Sequence, residues 1–205
     1  MPILLLIRHG ENEYVKKGRL AGRLPGVHLN ETGRSQAQIV ADRLAKAPIK
    51  AIYSSPLERA METAEPLTTR LGLEAIPRAG FLETDYGEWQ GQTLKSLRRA
   101  KLWRIVQNAP SLARFPGGES FAECQRRVCA EIEWICAQHD AKDMVACVFH
   151  ADPIKLAVAF YIGLPLDHFQ RLSCSPASIT TLIIGENGSH LANLNVDFSL
   201  NYPNP

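Results

Sequence analysis

Five apolar residues in a row, Ile3-Leu4-Leu5-Leu6-Ile7, run directly into the triplet Arg8-His9-Gly10. A strand points its side chains alternately to two faces, so an unbroken apolar run is a strand covered on both sides. Such strands sit in the middle of α/β sheets. The run is far too short to span a bilayer and no basic segment precedes it, so neither a membrane span nor a signal peptide is expected. It ends by placing an arginine and a histidine at the mouth of a strand, where buried charge is costly unless it is used.

The pattern recurs along the chain. After a loop rich in Gly, Arg and Pro over 18–29, Asn30 caps a helix whose core face is Ala37, Val40, Ala41 and Leu44, ending before Pro48. Ala51-Ile52-Tyr53 is a second strand. Ser55-Pro56-Leu57-Glu58 has the form of a capping box with proline at the first helical position, opening a helix to about Leu71 with Arg59 in its first turn. Ala75-Ile76 is a minor strand, 80–92 is a long loop, and helical pieces follow over 94–101 and 103–108. Pro116-Gly117-Gly118-Glu119-Ser120 punctuates the chain. Ser120 then opens an amphipathic helix with Phe121, Cys124, Val128, Ile132 and Ile135 at helical spacing. Residues 144–149 form a buried strand ending at His150, 153–162 a helix, and 179–184 and 190–196 a hairpin around Gly185-Glu186-Asn187-Gly188. Residues 201–205 read as a frayed tail. Alternation of strands and helices predicts one α/β domain over 1–205, a three-layer α/β/α sandwich with a mostly parallel central sheet.

The charge balance excludes some partners. Lys and Arg total 23 against 21 Asp and Glu, so nothing points to nucleic acid and any anion site must be local. Five cysteines (Cys124, Cys129, Cys136, Cys147 and Cys174) form no CxxC pair and leave an odd one, which argues against a disulfide framework and for a reducing cytoplasm. Cys129 and Cys136 read as small buried or half-buried side chains.

In a parallel sheet, ligands bind at the carboxyl ends of strands. Arg8 and His9 follow the first strand, Arg59 follows the second, and His150 follows the strand over 144–149. Two guanidiniums match phosphate oxygens with planar forks, and free amides at the start of the helix after Ser55 add a favourable dipole. The expected ligand is a dianionic phosphoryl group. Each residue also has a plainer reading: an Arg-His pair in a solvated loop, a surface arginine in a first helical turn, a core histidine bonded to a carbonyl. His28, His139, His168 and His190 have no comparable placement.

Five ordered motifs lie between about residues 3 and 160: Arg8-His9-Gly10-Glu11-Asn12; Ser54 to Ala60 with Thr63-Ala64; Leu82-Glu83 with Tyr86-Gly87-Glu88-Trp89-Gln90-Gly91; Pro116 to Ser120; and His150. In this order they resemble the histidine phosphatase superfamily, also called phosphoglycerate mutase-like. The resemblance implies that His9 attacks phosphorus to form a phosphohistidine, that Arg8, Arg59 and His150 hold the phosphoryl oxygens, and that Glu83 gives and later takes the proton. It implies a small helical cap insertion, about 84–118, over the active site. Asn12 and Ala151 are expected to touch substrate, Ala151 standing where glycine is common in the family. Arg19 and Arg23 are candidates for gripping a second anionic group, with solvated loop residues as the alternative. No metal or other cofactor is expected, because the arginines and His150 neutralise the charge.

Val15 stands where glycolytic mutases carry asparagine, and the segment from Glu83 to Pro116 is short beside theirs. Both point to the phosphatase branch and a small phosphorylated metabolite as substrate. A cofactor-dependent phosphoglycerate mutase, primed by 2,3-bisphosphoglycerate, is the alternative, and a non-catalytic phospholigand-binding protein the second. Oligomeric state is open, a homodimer included.

Overall fold

The computed structural model describes residues 2–185 and 188–198. The expected tail at 201–205 and the hairpin turn residues Glu186 and Asn187 lie outside the described residues. The elements are β1 (Ile3–Arg8), α1 (Glu13–Lys16), α2 (Glu31–Leu44), β2 (Ile49–Ser54), α3 (Glu58–Leu71), β3 (Ala75–Pro77), α4 (Leu94–Leu97), α5 (Lys101–Asn108), α6 (Phe121–Ala137), β4 (Met144–Phe149), α7 (Ala151–Tyr161), β5 (Ile179–Gly185) and β6 (Gly188–Val196). Short 3-10 turns stand at Ala79–Phe81, Gly87–Trp89, Pro110–Leu112 and Leu166–Arg171.

One sheet runs in the order β3-β2-β4-β1-β5-β6. Strands β1, β2, β3 and β4 are mutually parallel, and β5 is antiparallel to both β1 and β6. Alternation along each central strand divides the core in two. Leu4 and Leu6 of β1 join Val145, Cys147 and Phe149 of β4 against Val128, Ile132 and Ile135 of α6 and Ile154, Ala157 and Val158 of α7. Leu5 and Ile7 join Ala146 and Val148 against Val40 and Ala41 of α2 and Ala60, Ala64 and Leu67 of α3. Each fully buried Leu or Ile gains roughly 1.5–3 kcal/mol by leaving water. A one-residue slip of β1 would exchange its two faces, so this burial holds the register. The result is the expected three-layer sandwich.

A third cluster ties the 84–118 segment down: Tyr86, Trp89, Leu97, Val106 and Phe115 pack with Phe121 and Cys124 of α6, Leu156 and Ala159 of α7, and Phe169. Asn30 caps α2 as expected, its side chain accepting from the Gly33 amide, and Ser120 with Glu123 forms a complete capping box on α6.

Several local expectations need correction. The box at Ser55 and Glu58 does not form: α3 starts at Glu58, Leu57 is its N-cap, and no side chain caps it. Ser55 and Glu58 have tertiary partners instead, the His150 ring at 2.8 Å and the Gly26 amide at 2.9 Å. Helix α7 begins at Ala151, directly after His150, and the two helices of the 84–118 segment are shorter or shifted against 94–101 and 103–108. The loop after Gly10 contains α1, capped by Asn12.

Candidate active site

The sheet register builds the site. Arg8 pairs with Phe149 across β1 and β4, so the next residues, His9 and His150, emerge side by side with ring centroids 5.2 Å apart. Ser54 of β2 pairs with Val148, which brings Ser55 to the same edge, where its amide donates to the Val148 carbonyl at 2.8 Å. Arg59, in the first turn of α3, reaches this edge from the other neighbour of β4. Gly10 turns the chain away from His9, and its amide donates to Thr63 Oγ1 at 3.0 Å. The turn backs onto Gly33 in the first turn of α2, where a Cβ would press into the Glu11 carbonyl.

His9 is 3% exposed, and its Nδ1 lies 2.7 Å from the Gly10 carbonyl oxygen. A carbonyl only accepts, so Nδ1 carries the proton and Nε2 keeps its lone pair. Arg59 Nε donates to that Nε2 at 3.3 Å. Burial first, then the positive charges of Arg59 and Arg8, hold the His9 pKa well below the ordinary value, against the opposing pull of the Gly10 carbonyl. The ring is therefore neutral, in the tautomer that presents a nucleophilic nitrogen. His150 is fully buried and likewise held neutral, by burial and then Arg59, and its Nε2 lies 2.8 Å from Ser55 Oγ.

Each cation is half committed. Arg8 Nη1 donates to the Cys174 carbonyl at 2.6 Å and Arg59 Nη2 to the Gly22 carbonyl at 2.7 Å. Arg8 Nε, Arg59 Nη1, Asn12 Nδ2 and His150 Nδ1 are buried without a hydrogen-bond partner among the described residues. A buried unsatisfied donor costs about 1–3 kcal/mol. Arg8, Arg59 and Asn12, which carry three of these atoms, line one cavity with His9, an arrangement that suits an anion with several oxygens.

Glu83 is 8% exposed and its Oε1 accepts from the Thr84 amide at 2.9 Å. Burial, and next the Asp152 carboxylate, raise its pKa to about 7, with Arg59 opposing. Asp152 itself is held below the ordinary carboxylate value: burial pushes it up, but Lys155 at 2.8 Å and the Tyr86 hydroxyl at 2.7 Å outweigh that. Two neighbouring carboxyls thus divide into one proton holder and one fixed anion.

Arg8, His9, Asn12, Arg59, Glu83 and Ala151 line a cavity of about 330 Å³. His150 is close behind His9 without lining it. Leu20, Trp89, Leu94, Trp103, Val106 and Phe115, with Gln107 and Gln170, also line the cavity. Arg19 lies at this cavity but gives its Nε and Nη2 to the Gly91 carbonyl and is exposed. Arg23 does not line it. Its guanidinium is spent on the Glu83 carbonyl, Glu119 and Asp85, which corrects the expectation that it grips substrate. Sequence reasoning also passed over Asp152, and quoted Tyr86 within a motif without its hydrogen bond to that carboxylate. The available signals were a carboxylate two residues after His150 and a tyrosine three residues after Glu83.

Among the described residues no group of three or more His, Cys, Asp or Glu side chains could hold a metal ion, and no helix is long and apolar enough to cross a membrane.

The histidine phosphatase superfamily (branch 1) matches residues 4–197. Phosphoserine phosphatase 1 of Hydrogenobacter thermophilus is 30% identical over 195 residues, covering 94% of this chain and 92% of that protein. A mycobacterial glucosyl-3-phosphoglycerate phosphatase solved with VO3 superposes with a TM-score of 0.86 at 30% identity, covering 95% of this chain and 98% of that one. The Entamoeba histolytica phosphoserine phosphatase in complex with 3-phosphoglyceric acid gives 0.86 at 28%, covering 95% and 97%.

Proposed function

Since this chain belongs to the histidine phosphatase superfamily and is a phosphatase of small phosphorylated metabolites, we propose that it works through a phosphohistidine on His9 and that its preferred leaving alcohol is uncharged. The observation that carries the first part is the neutral His9 with its lone pair on Nε2, in a cavity also lined by Arg8, Arg59 and Asn12, each with a buried donor that has no partner among the described residues. His9 Nε2 bonds to phosphorus as the ester P–O bond breaks, and Glu83 gives its proton to the departing oxygen. Water then attacks the phosphorus, its proton goes to Glu83, the P–N bond breaks, and phosphate leaves with His9 neutral again. Arg8 and Arg59 neutralise the transferring group, Asn12 donates to it, and His150 donates from Nδ1 while Ser55 holds its Nε2. In this scheme no metal is called for.

Trp89, Trp103, Leu20, Leu94, Val106 and Phe115 carry the second part. Phosphoserine, the substrate in the name of one relative, bears a carboxylate on its leaving group. Here the arginine expected to meet such a group is tied to Glu119, and Arg19 to a carbonyl. An alcohol with an apolar or flat face suits these walls better. The five free cysteines fit a reducing compartment, and we assign the protein to the cytoplasm.

The test is phosphate release from 2-phenylethyl phosphate, phosphoserine and 3-phosphoglycerate, all alkyl monoesters, with wild type and His9→Ala. The wild type should show a kcat/KM at least tenfold higher on the phenylethyl ester, and His9→Ala should release nothing. A preference for phosphoserine would remove the leaving-group assignment. Conversion of 3-phosphoglycerate to its isomer without phosphate release would favour a mutase.

A further inference from the structure

Glu83 sits on a stretch without regular structure, between the 3-10 turns at Ala79–Phe81 and Gly87–Trp89. A proton donor on such a segment needs its backbone held from outside. Arg127 of α6 donates from Nη1 to the Gly80 carbonyl at 2.8 Å and the Leu82 carbonyl at 2.9 Å. Its Nη2 reaches the Glu83 carbonyl at 3.4 Å and Glu119 Oε1 at 2.7 Å. Arg23 adds its Nε on the Glu83 carbonyl at 2.8 Å and its Nη2 on the same Glu119 Oε1 at 3.0 Å. Glu119 Oε1 also accepts from the Asp85 amide at 2.9 Å, and the Glu119 amide donates to the Asp85 carbonyl at 3.0 Å. Gly118 permits this approach, since a Cβ there would run into the Asp85 carbonyl.

We propose that Arg127, Glu119 and Arg23 form a strap of positioning residues that aims the Glu83 carboxyl at the leaving oxygen. Two guanidiniums share one carboxylate, and all three grip the backbone on either side of Glu83. The strap also couples the acid to the nucleophile. Arg23 follows Gly22, whose carbonyl accepts Arg59 Nη2, and Arg59 Nε touches His9. The Pro116 to Ser120 motif thereby has a purpose beyond punctuation, as the carrier of Glu119. This rests on Glu83 being the proton donor.

The experiment reads dependence on the leaving group. kcat/KM reports steps up to phosphoryl transfer and release of the alcohol, so it excludes later hydrolysis of the phosphoenzyme. An alkoxide such as that of 2-phenylethyl phosphate needs the proton, whereas p-nitrophenolate leaves without one. A misplacement of about 1 Å costs on the order of 10²-fold. Arg127→Gln should therefore lose about that much on the alkyl ester and less than about threefold on p-nitrophenyl phosphate. Arg23→Ala, at a more exposed position, should show the same split at roughly tenfold, and it answers the question if Arg127→Gln does not fold. Glu83→Gln is the reference. If it splits the two esters and the strap variants do not, or if they lower both esters equally, the strap is overturned. If Glu83→Gln itself shows no split, the proton-donor reading fails and the strap falls with it.

Discussion

Arg59 is 1% exposed, and its guanidinium nitrogens have three different fates: Nε touches His9, Nη2 is tied to the Gly22 carbonyl, and Nη1 is left over. A fixed cation with one spare donor is already organised for an anion before the anion arrives. Arg59→Ala should lower kcat/KM by about 10²–10³, measured on the alkyl ester, and unchanged turnover would remove Arg59 from the site. As the proposed proton donor, Glu83 governs the alkaline side. It donates only while protonated, so kcat/KM for the alkyl ester should fall as pH rises through about 7, with no such limb on p-nitrophenyl phosphate. Burial is the main cause of its raised pKa and Asp152 the next. Asp152→Asn removes an anion that disfavours ionised Glu83, so the limb should move to lower pH. A limb that stays or moves upward would contradict the pairing of these two carboxyls.

The first turn of α2 shows how an element can serve a site it never touches chemically. Gly33 lets the loop from His9 to Glu11 lie against the helix, and a methyl there would meet the Glu11 carbonyl. Gly33→Ala should cost about 1–3 kcal/mol by overpacking, read from the denaturation midpoint. Elements governed by neighbours in sequence were legible from it. Asn30 and Ser120 cap their helices, and the unbroken runs in β1 and β4 are strands. Where a distant partner wins, local reading misleads. Ser55 and Glu58 have the spacing of a capping box, yet His150 and Gly26 claim them. Arg23 resembles a free loop cation until Glu119 is brought beside it.

For the whole molecule, the parallel register is what matters. It sets the ends of β1, β2 and β4 at one edge, so that Arg8, His9, Ser55, Arg59 and His150 meet there. Arg8, His9, Arg59 and His150 could be placed from the sequence because strand ends in such sheets face one way. Asp152, Tyr86 and the proposed strap could not, because their placement comes from packing of α6, α7 and the 84–118 segment around Glu83. The central claim is the covalent intermediate on His9. Wild-type protein mixed with phosphorus-32-labelled substrate and quenched in alkali within milliseconds should carry label on one peptide, at His9, in a bond that acid hydrolyses and alkali spares. His9→Ala should carry none. Label at another residue, or full turnover by His9→Ala, would contradict the account.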